Sequence, residues 1–315
     1  MEVKALKFGG LTAKRPIVQG GMGVGVSLSS LAGNVAKCGG IGTISGVHPG
    51  YKEADFKENP FRANLRAIGN ELEKAKEIAN GGIIGFNFMT VMNHYEEYVK
   101  EAIGAGADFI VSGAGLPVNL AKYAAGTRAA ILPIVSSARA LKLIVKQWQR
   151  ADRLPDAVVV EGPLAGGHLG YPYGHLVDGT FDTLEDSLVD VVDYVRELEE
   201  KNGVIIPVIA GGGVRSHADM ERLMALGASG VQVGTKFVAT EECDAAPAFK
   251  QAYLRSRKED VQLIESPVGL AARAIRNSFL EKVEKQGRIP VQRCYQCMNH
   301  CKQAETKYCI SQALI

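Results

Sequence analysis

Residues 161–170 read Glu-Gly-Pro-Leu-Ala-Gly-Gly-His-Leu-Gly, directly after the apolar run Asp156–Val160. A short β-type run that empties into glycines and one histidine has the form of a parallel strand opening into a site. Glycines there let backbone approach a flat ligand or a phosphate closely, and an imidazole titrates near neutral pH. A packed turn needs no such combination. His168 is therefore the candidate catalytic residue.

Four other apolar runs end in the same manner. Gln19-Gly20-Gly21-Met22-Gly23 follows the first, and its glycines permit a backbone path beneath a planar ring, or simply a tight turn. Gly85-Phe86-Asn87-Phe88 closes the third, where Asn87 can bond a heterocycle edge or its own backbone. The last two junctions are Ala210-Gly211-Gly212-Gly213-Val214, with Ser216 as a helix cap, and Gln232-Val233-Gly234-Thr235-Lys236. Adjacent loops exposing backbone N–H groups near a short helix form a phosphate site without a lysine.

Positioning these junctions requires a regular scaffold. Apolar runs fall at Pro16–Gly20, Gly40–Ser45, Ile83–Asn87, Asp108–Ser112, Ala130–Val135, Asp156–Val160, Ile205–Ala210 and Gly230–Gly234. Helical patterns separate them, at Leu28–Lys37, Arg62–Ala79, Tyr95–Ala102, Ala138–Gln149 and Leu184–Lys201. Short Val- and Ile-rich runs alternating with helices predict an α/β fold with a parallel sheet. An open doubly wound sheet is one solution. A closed (β/α)8 TIM barrel fits the count better and places every glycine-rich junction on one face. The spacing predicts a barrel over residues 1–240. Residues 241–315 then form a mostly helical C-terminal extension over or beside the mouth, with helices over Ala245–Arg257 and Val268–Val283 and a break at 287–290.

Composition narrows the class further. The 315 residues are 46% hydrophobic and include 36 glycines concentrated after apolar runs, which speaks for an enzyme with many tight junctions. With 36 Lys and Arg against 34 Asp and Glu, bulk charge gives no sign of a nucleic-acid partner. No run of eighteen apolar residues and no signal-peptide core appear, so the expectation is a cytoplasmic protein without a membrane span.

No Gly-x-Gly-x-x-Gly unit leads from strand to helix with an acidic residue beyond it, and neither a His-Glu-x-x-His site nor a P-loop is present. A monophosphate-bearing cofactor fits better than a bound dinucleotide. On Pro16–Gly23, Gly85–Asn87, Glu161–Gly170, Ile206–Gly213 and Val231–Phe237, the chain resembles a flavin-dependent family. Its members are the nitronate monooxygenases, formerly 2-nitropropane dioxygenases, and the FMN-containing enoyl-acyl-carrier-protein reductases. The resemblance runs from about residue 8 to 280 and implies an FMN-bound TIM barrel. It makes His168 the family histidine, and it places FMN against Gly20, Gly21, Met22, Gly23, Asn87, Glu161, Gly166, Gly167, Gly211 and Gln232. The FMN phosphate falls on Gly212, Gly213, Gly234 and Thr235.

Two reactions share these residues. In nitronate oxidation, a small alkyl nitronate or nitroalkane reacts with dioxygen to give a carbonyl compound and nitrite, and His168 is the base toward neutral nitroalkane. In enoyl-thioester reduction, NAD(P)H is the co-substrate, His168 supplies a proton, and an acyl carrier protein is a partner. Eight Lys and Arg against three Glu between residues 270 and 315 would suit such an acidic partner, or form a solvated face. A flavin-binding protein without turnover is a third reading.

The tail departs from the family pattern. Cys294, Cys297, Cys301 and Cys309 are spaced C-x2-C-x3-C-x7-C, a set that can converge on zinc or an iron–sulfur cluster. Packing of free thiols on one helical face is the competing reading.

Overall fold

Strand alternation sets the architecture. Residues 4–299 and 301–315 are described by the computed structural model. Eight parallel strands form a closed barrel: β1 (Ile17–Gln19), β2 (Ile41–Ser45), β3 (Ile83–Met89), β4 (Phe109–Gly113), β5 (Ala130–Val135), β6 (Val158–Glu161), β7 (Val208–Gly211) and β8 (Gly230–Val233). β8 closes on β1 with Val231, Gln232 and Val233 opposite Ile17, Val18 and Gln19. This is a TIM barrel.

Successive residues of a strand face opposite sides. Phe109 and Val111 of β4, Ala130 and Leu132 of β5, Ala157 and Val159 at β6, and Ile209 of β7 fill the barrel interior. Their neighbours Ile110, Ile131, Val158 and Val160 join the larger core between barrel and helices. Pairing is thinnest between β1 and β2, where only Val18 and Ile41 stand opposite. There the fully buried Gln19 side chain replaces the ladder. Its Oε1 accepts from Thr43 N–H at 3.0 Å and its Nε2 donates to the Gly20 carbonyl.

The helix Ser29–Lys37 lies directly on β2. A Cβ at Gly42 would stand 2.0 Å from the Ala32 carbonyl oxygen, so only glycine allows this approach. A distant residue caps that helix. The Asp244 carboxylate accepts N–H bonds from Leu28, Ser30 and Leu31 at 2.8–3.1 Å. At the amino end of the barrel, the antiparallel pair Leu6–Phe8 and Leu11–Ala13 acts as a plug. Leu6, Phe8 and Ala13 enter the interior cluster, with Phe8 edge-on to Phe109. Among the described residues, no helix is long and apolar enough to cross a membrane.

The C-terminal extension differs from expectation. The first helix forms, over Pro247–Arg255, but the helix expected over Val268–Val283 does not. Instead Val261–Glu265 and Ala271–Ile275 form an antiparallel hairpin, and a helix follows only at Ser278–Gln286. Ala271–Ile275 also pairs with Gly167–Leu169, so the sheet is completed by the loop after β6. Pairing with a segment a hundred residues away overrides local helical preference.

The tail folds back over the exits of β2 and β3. Asn299 N–H donates to the Val91 carbonyl and Asn93 N–H to that of Cys297, while Tyr295 stacks on Phe56. The short helix Ile310–Leu314 is held by Ser311, whose Oγ lies 2.9 Å from His48 Nε2. Asn64 fixes the tautomer. Its Oδ1 accepts from Gly50 N–H, so its Nδ2 faces His48 Nδ1 as a donor and leaves Nε2–H for Ser311. Burial lowers the His48 pKa to about 4, against 6.5 when unfolded. The native state then binds fewer protons than the unfolded chain between these values, so stability falls as pH drops from 6.5 to 4. Thermal unfolding should show this loss, and limited proteolysis should cleave first in the tail at pH 4.5. His48→Gln should flatten the pH dependence in that window while lowering the midpoint at pH 7.

Candidate active site

A cavity of about 710 Å³ opens at the carboxyl end of the barrel, between the exits of β4, β5 and β6. Its roof comes from the C-terminal extension, through Glu265–Pro267, Gly269–Ala271 and Glu305–Lys307. Both titratable residues of the Glu161–Gly170 segment, Glu161 and His168, line it.

Glu161 is the last residue of β6. The inward row of that strand runs Ala157, Val159, and the next position on it is Glu161, at the mouth. Its backbone pairs with Gly211 and its carbonyl accepts from Tyr171 Oη at 3.1 Å, while no described residue bonds its carboxylate. Burial alone, with no compensating cation, pushes its carboxyl up to about 7. His168 sits on the short strand Gly167–Leu169, opposite Ala272 of the hairpin. Its Nε2 lies 2.8 Å from Ser266 Oγ, and burial lowers its pKa, so the ring is neutral at pH 7. Ser266 is a residue that sequence reasoning missed. The Ser-Pro-Val-Gly stretch at 266–269 does carry a hairpin-turn signal, with Gly269 at φ +79°. Arg273 secures the same loop by donating to the carbonyls of Pro163 and Ala165.

The remaining expected residues do not line this cavity; Gly166 and Gly167 precede His168, Gly212 and Gly213 abut the 162–165 loop, and the others gather along the rest of the rim. Gly20 N–H donates to the Val233 carbonyl at 2.9 Å, joining the exits of β1 and β8. A Cβ on Gly21 would fall 2.4 Å from that of Asn87, and one on Gly234 would lie 3.3 Å from Met22 Sδ. Gly20–Gly23, Asn87, Gly234 and Thr235 thus share one rim. Gly211 and Gln232 adjoin it, since a Cβ on Gly211 would be 3.1 Å from Gln232 Cβ. Gly212 and Gly213 follow with φ of +98° and +90°. Asn87 and Gln232 continue the inward rows of Ile83, Gly85 and Gly230, so a polar rim lies over the apolar interior. Gly166 and Gly167 face open space, where an added Cβ meets nothing within 4 Å. Backbone at two adjacent exits beside a polar rim fits a planar group carrying one phosphate.

The four tail cysteines lie near one another, and Cys294, Cys301 and Cys309 each act electrostatically on Cys297. Cys294, Cys297, Cys301 and Cys309 carry free thiols, and no cluster of three or more His, Cys, Asp or Glu among the described residues is arranged to hold a metal ion. Local contacts take the sulfurs instead. Cys294 Sγ accepts from Gln296 N–H, and Cys309 caps the helix Ile310–Leu314 by accepting from Gln312 N–H. Cys297 is pushed up to about 11, chiefly by burial.

Against known proteins, the family model described as nitronate monooxygenase matches residues 4–315. The chain belongs to the nitronate monooxygenase family. Probable nitronate monooxygenases of Staphylococcus saprophyticus and Staphylococcus aureus are 25% and 27% identical, covering 90% and 89% of this chain and 82% and 81% of theirs. Among solved structures, FabK from Thermotoga maritima is 26% identical with a TM-score of 0.67, over 87% of this chain and 75% of that one. Nitroalkane oxidase from Streptomyces ansochromogenes shares the fold, with a TM-score of 0.60 at 24% identity over 85% and 78% of the two chains. As a member of this family the protein is an oxidoreductase.

A raised carboxyl has a measurable signature. The native state binds more protons at Glu161 than the unfolded chain between pH 4.5 and about 7, so its contribution to stability is lost as pH rises through that window. Glu161→Gln should match the wild-type melting temperature near pH 4.5 and exceed it at pH 8. A constant difference across the range would show that Glu161 titrates normally.

Proposed function

We propose that this protein binds FMN at the barrel mouth and oxidises alkyl nitronates or nitroalkanes with dioxygen to a carbonyl compound and nitrite. The observation that carries the reading is the family match over the described chain, joined to one cavity lined by His168 and Glu161. The glycines after β1, β7 and β8 would hold the cofactor, with Gly212, Gly213, Gly234 and Thr235 at its phosphate. When bound, FMN supplies the electron transfer between nitronate and dioxygen.

The chain's own groups govern substrate and proton. In the tautomer that donates Nε2–H to Ser266 Oγ, Nδ1 of the neutral His168 ring is free to accept the α-proton of a nitroalkane. The C–H electron pair moves into the carbon–nitrogen bond, and the substrate becomes a nitronate. Ser266 holds the ring in place and bears the Nε2–H of the imidazolium formed. The hairpin and tail form the roof of the cavity.

Enoyl-thioester reduction is left as an outcome of the tests. Three of the eight basic residues that would receive an acidic carrier form exposed ion pairs within the chain. Arg276, Lys302 and Lys307 pair with Glu281, Glu305 and Glu265.

Stopped-flow mixing of the flavin-loaded protein, without oxygen, separates the two reactions. Rapid bleaching by an alkyl nitronate is expected. Bleaching by NADH or NADPH, followed by reoxidation with an enoyl thioester, would replace this reading with the reductase. His168→Asn should lower turnover of neutral nitroalkane by roughly 100-fold and leave the pre-formed nitronate nearly unaffected. For the cofactor, Gly212→Ala places a Cβ 2.9 Å from the Gly162 carbonyl oxygen at a φ of +98°. That variant should be purified with a severalfold lower ratio of flavin to protein absorbance.

A further inference from the structure

We propose that Glu161 acts as a neutral carboxylic acid that donates a hydrogen bond to the anionic substrate, so that the site takes up one proton with each anion bound. The inference rests on the nitronate reading and names the group that recognises the substrate's charge.

The geometry starts from the inward row of β6. Ala157 and Val159 lie in the apolar interior, and Glu161 is the next residue of that row, at the rim of the cavity. A carboxylate in such a place is ordinarily met by a cation or by several N–H donors. Neither reaches this one among the described residues, where the bonds to Glu161 are to its backbone, from the ladder with Gly211 and from Tyr171. The closest arginine along the hairpin, Arg273, spends its guanidinium on the carbonyls of Pro163 and Ala165.

The rest of the lining gives an anion little help. His168 is neutral and bonded to Ser266, and the Tyr171 hydroxyl is donated to the backbone of Glu161. Tyr173 adds a phenolic hydroxyl but no cation. Lys307 is paired with Glu265, and Glu305 with Lys302. No unpaired cation among the described residues lines the cavity, yet a nitronate carries a full negative charge. A charged Glu161 would repel it. A protonated Glu161 instead presents an O–H donor of the kind that binds oxyanions in apolar sites, and burial already holds the carboxyl near half-protonation at neutral pH. The balance is simple. One carboxylate, one solvent proton and one substrate anion become a hydrogen-bonded acid–anion pair, with no change of oxidation state.

Isothermal titration of the FMN-loaded protein with sodium isobutyrate, an unreactive anion of similar size, tests this. At pH 8, heats measured in two buffers of different ionisation enthalpy should report uptake of about one proton per anion. The dissociation constant should rise about tenfold per pH unit above 7 and flatten below about pH 6. Glu161→Gln should bind the anion through its amide with no proton uptake and no pH dependence, whereas His168→Asn should keep both. Wild-type binding without proton uptake overturns the inference, as does uptake that survives in Glu161→Gln or vanishes in His168→Asn. If Glu161→Gln does not fold, the wild-type and His168→Asn titrations decide alone. Nitronate bleaching of the flavin is read separately. Bleaching without linked proton uptake overturns only this inference, and linked uptake without bleaching overturns only the parent reading.

Discussion

Closing eight parallel strands into a barrel forces each inward row of side chains to end at a common rim. Below the rim the interior must be apolar, because nothing there can solvate a charge. At the rim most rows terminate in a residue that is small or polar, among them Gly20, Asn87, Glu161, Gly211 and Gln232, whereas the row of β5 ends in Ile134. The site is thus the top layer of the core, made from the same alternation that packs Val159 and Leu132 beneath it. The desolvation that shifts Glu161 and His168 in opposite directions comes from that same enclosure.

A barrel alone would leave this layer open. Closure depends on the segment after β8, which caps the helix Ser29–Lys37 through Asp244 and then returns as a hairpin and a tail. The hairpin joins the strand that carries His168, so one sheet spans the His168 loop and the roof. Orientation of the imidazole is therefore a property of the extension as much as of the barrel. The chemistry of the β6 exit is completed by a serine ninety-eight positions further along.

Much of this was legible in the residues themselves. The eight Val- and Ile-rich runs correspond to the eight strands, and the glycine exits all fall on one end. Boundaries moved where burial did not support the run. Ile205 is 85% exposed, so β7 begins only at Val208, while β6 extends through Glu161 because that residue pairs with Gly211. What escaped were features whose cause lies far away in sequence. Val261–Glu265 and Ala271–Ile275 are weak strands alone, and their partnership with Gly167–Leu169 becomes visible only in three dimensions. The amino-terminal plug was hidden likewise, although Leu6, Lys7 and Phe8 alternate as a strand should. The cysteine spacing does bring the thiols near one another, while two of the sulfurs also accept backbone N–H bonds at a turn and at a helix cap.

The order in which these parts occur along the chain has a consequence for biogenesis. The glycine rim at β1, β7 and β8 is complete once residue 235 has left the ribosome. The cavity is not, since Ser266 and Glu305–Lys307 are translated later, and the tail is anchored by a contact between residues 48 and 311. Synthesis thus passes through a stage at which the rim exists without a roof. A nascent chain at that stage has the means to hold a planar phosphate-bearing group but no enclosed chamber in which to use it. Maturation of the site is separated in time from formation of the barrel, and the long-range latch at His48 is among the last contacts that chain growth allows.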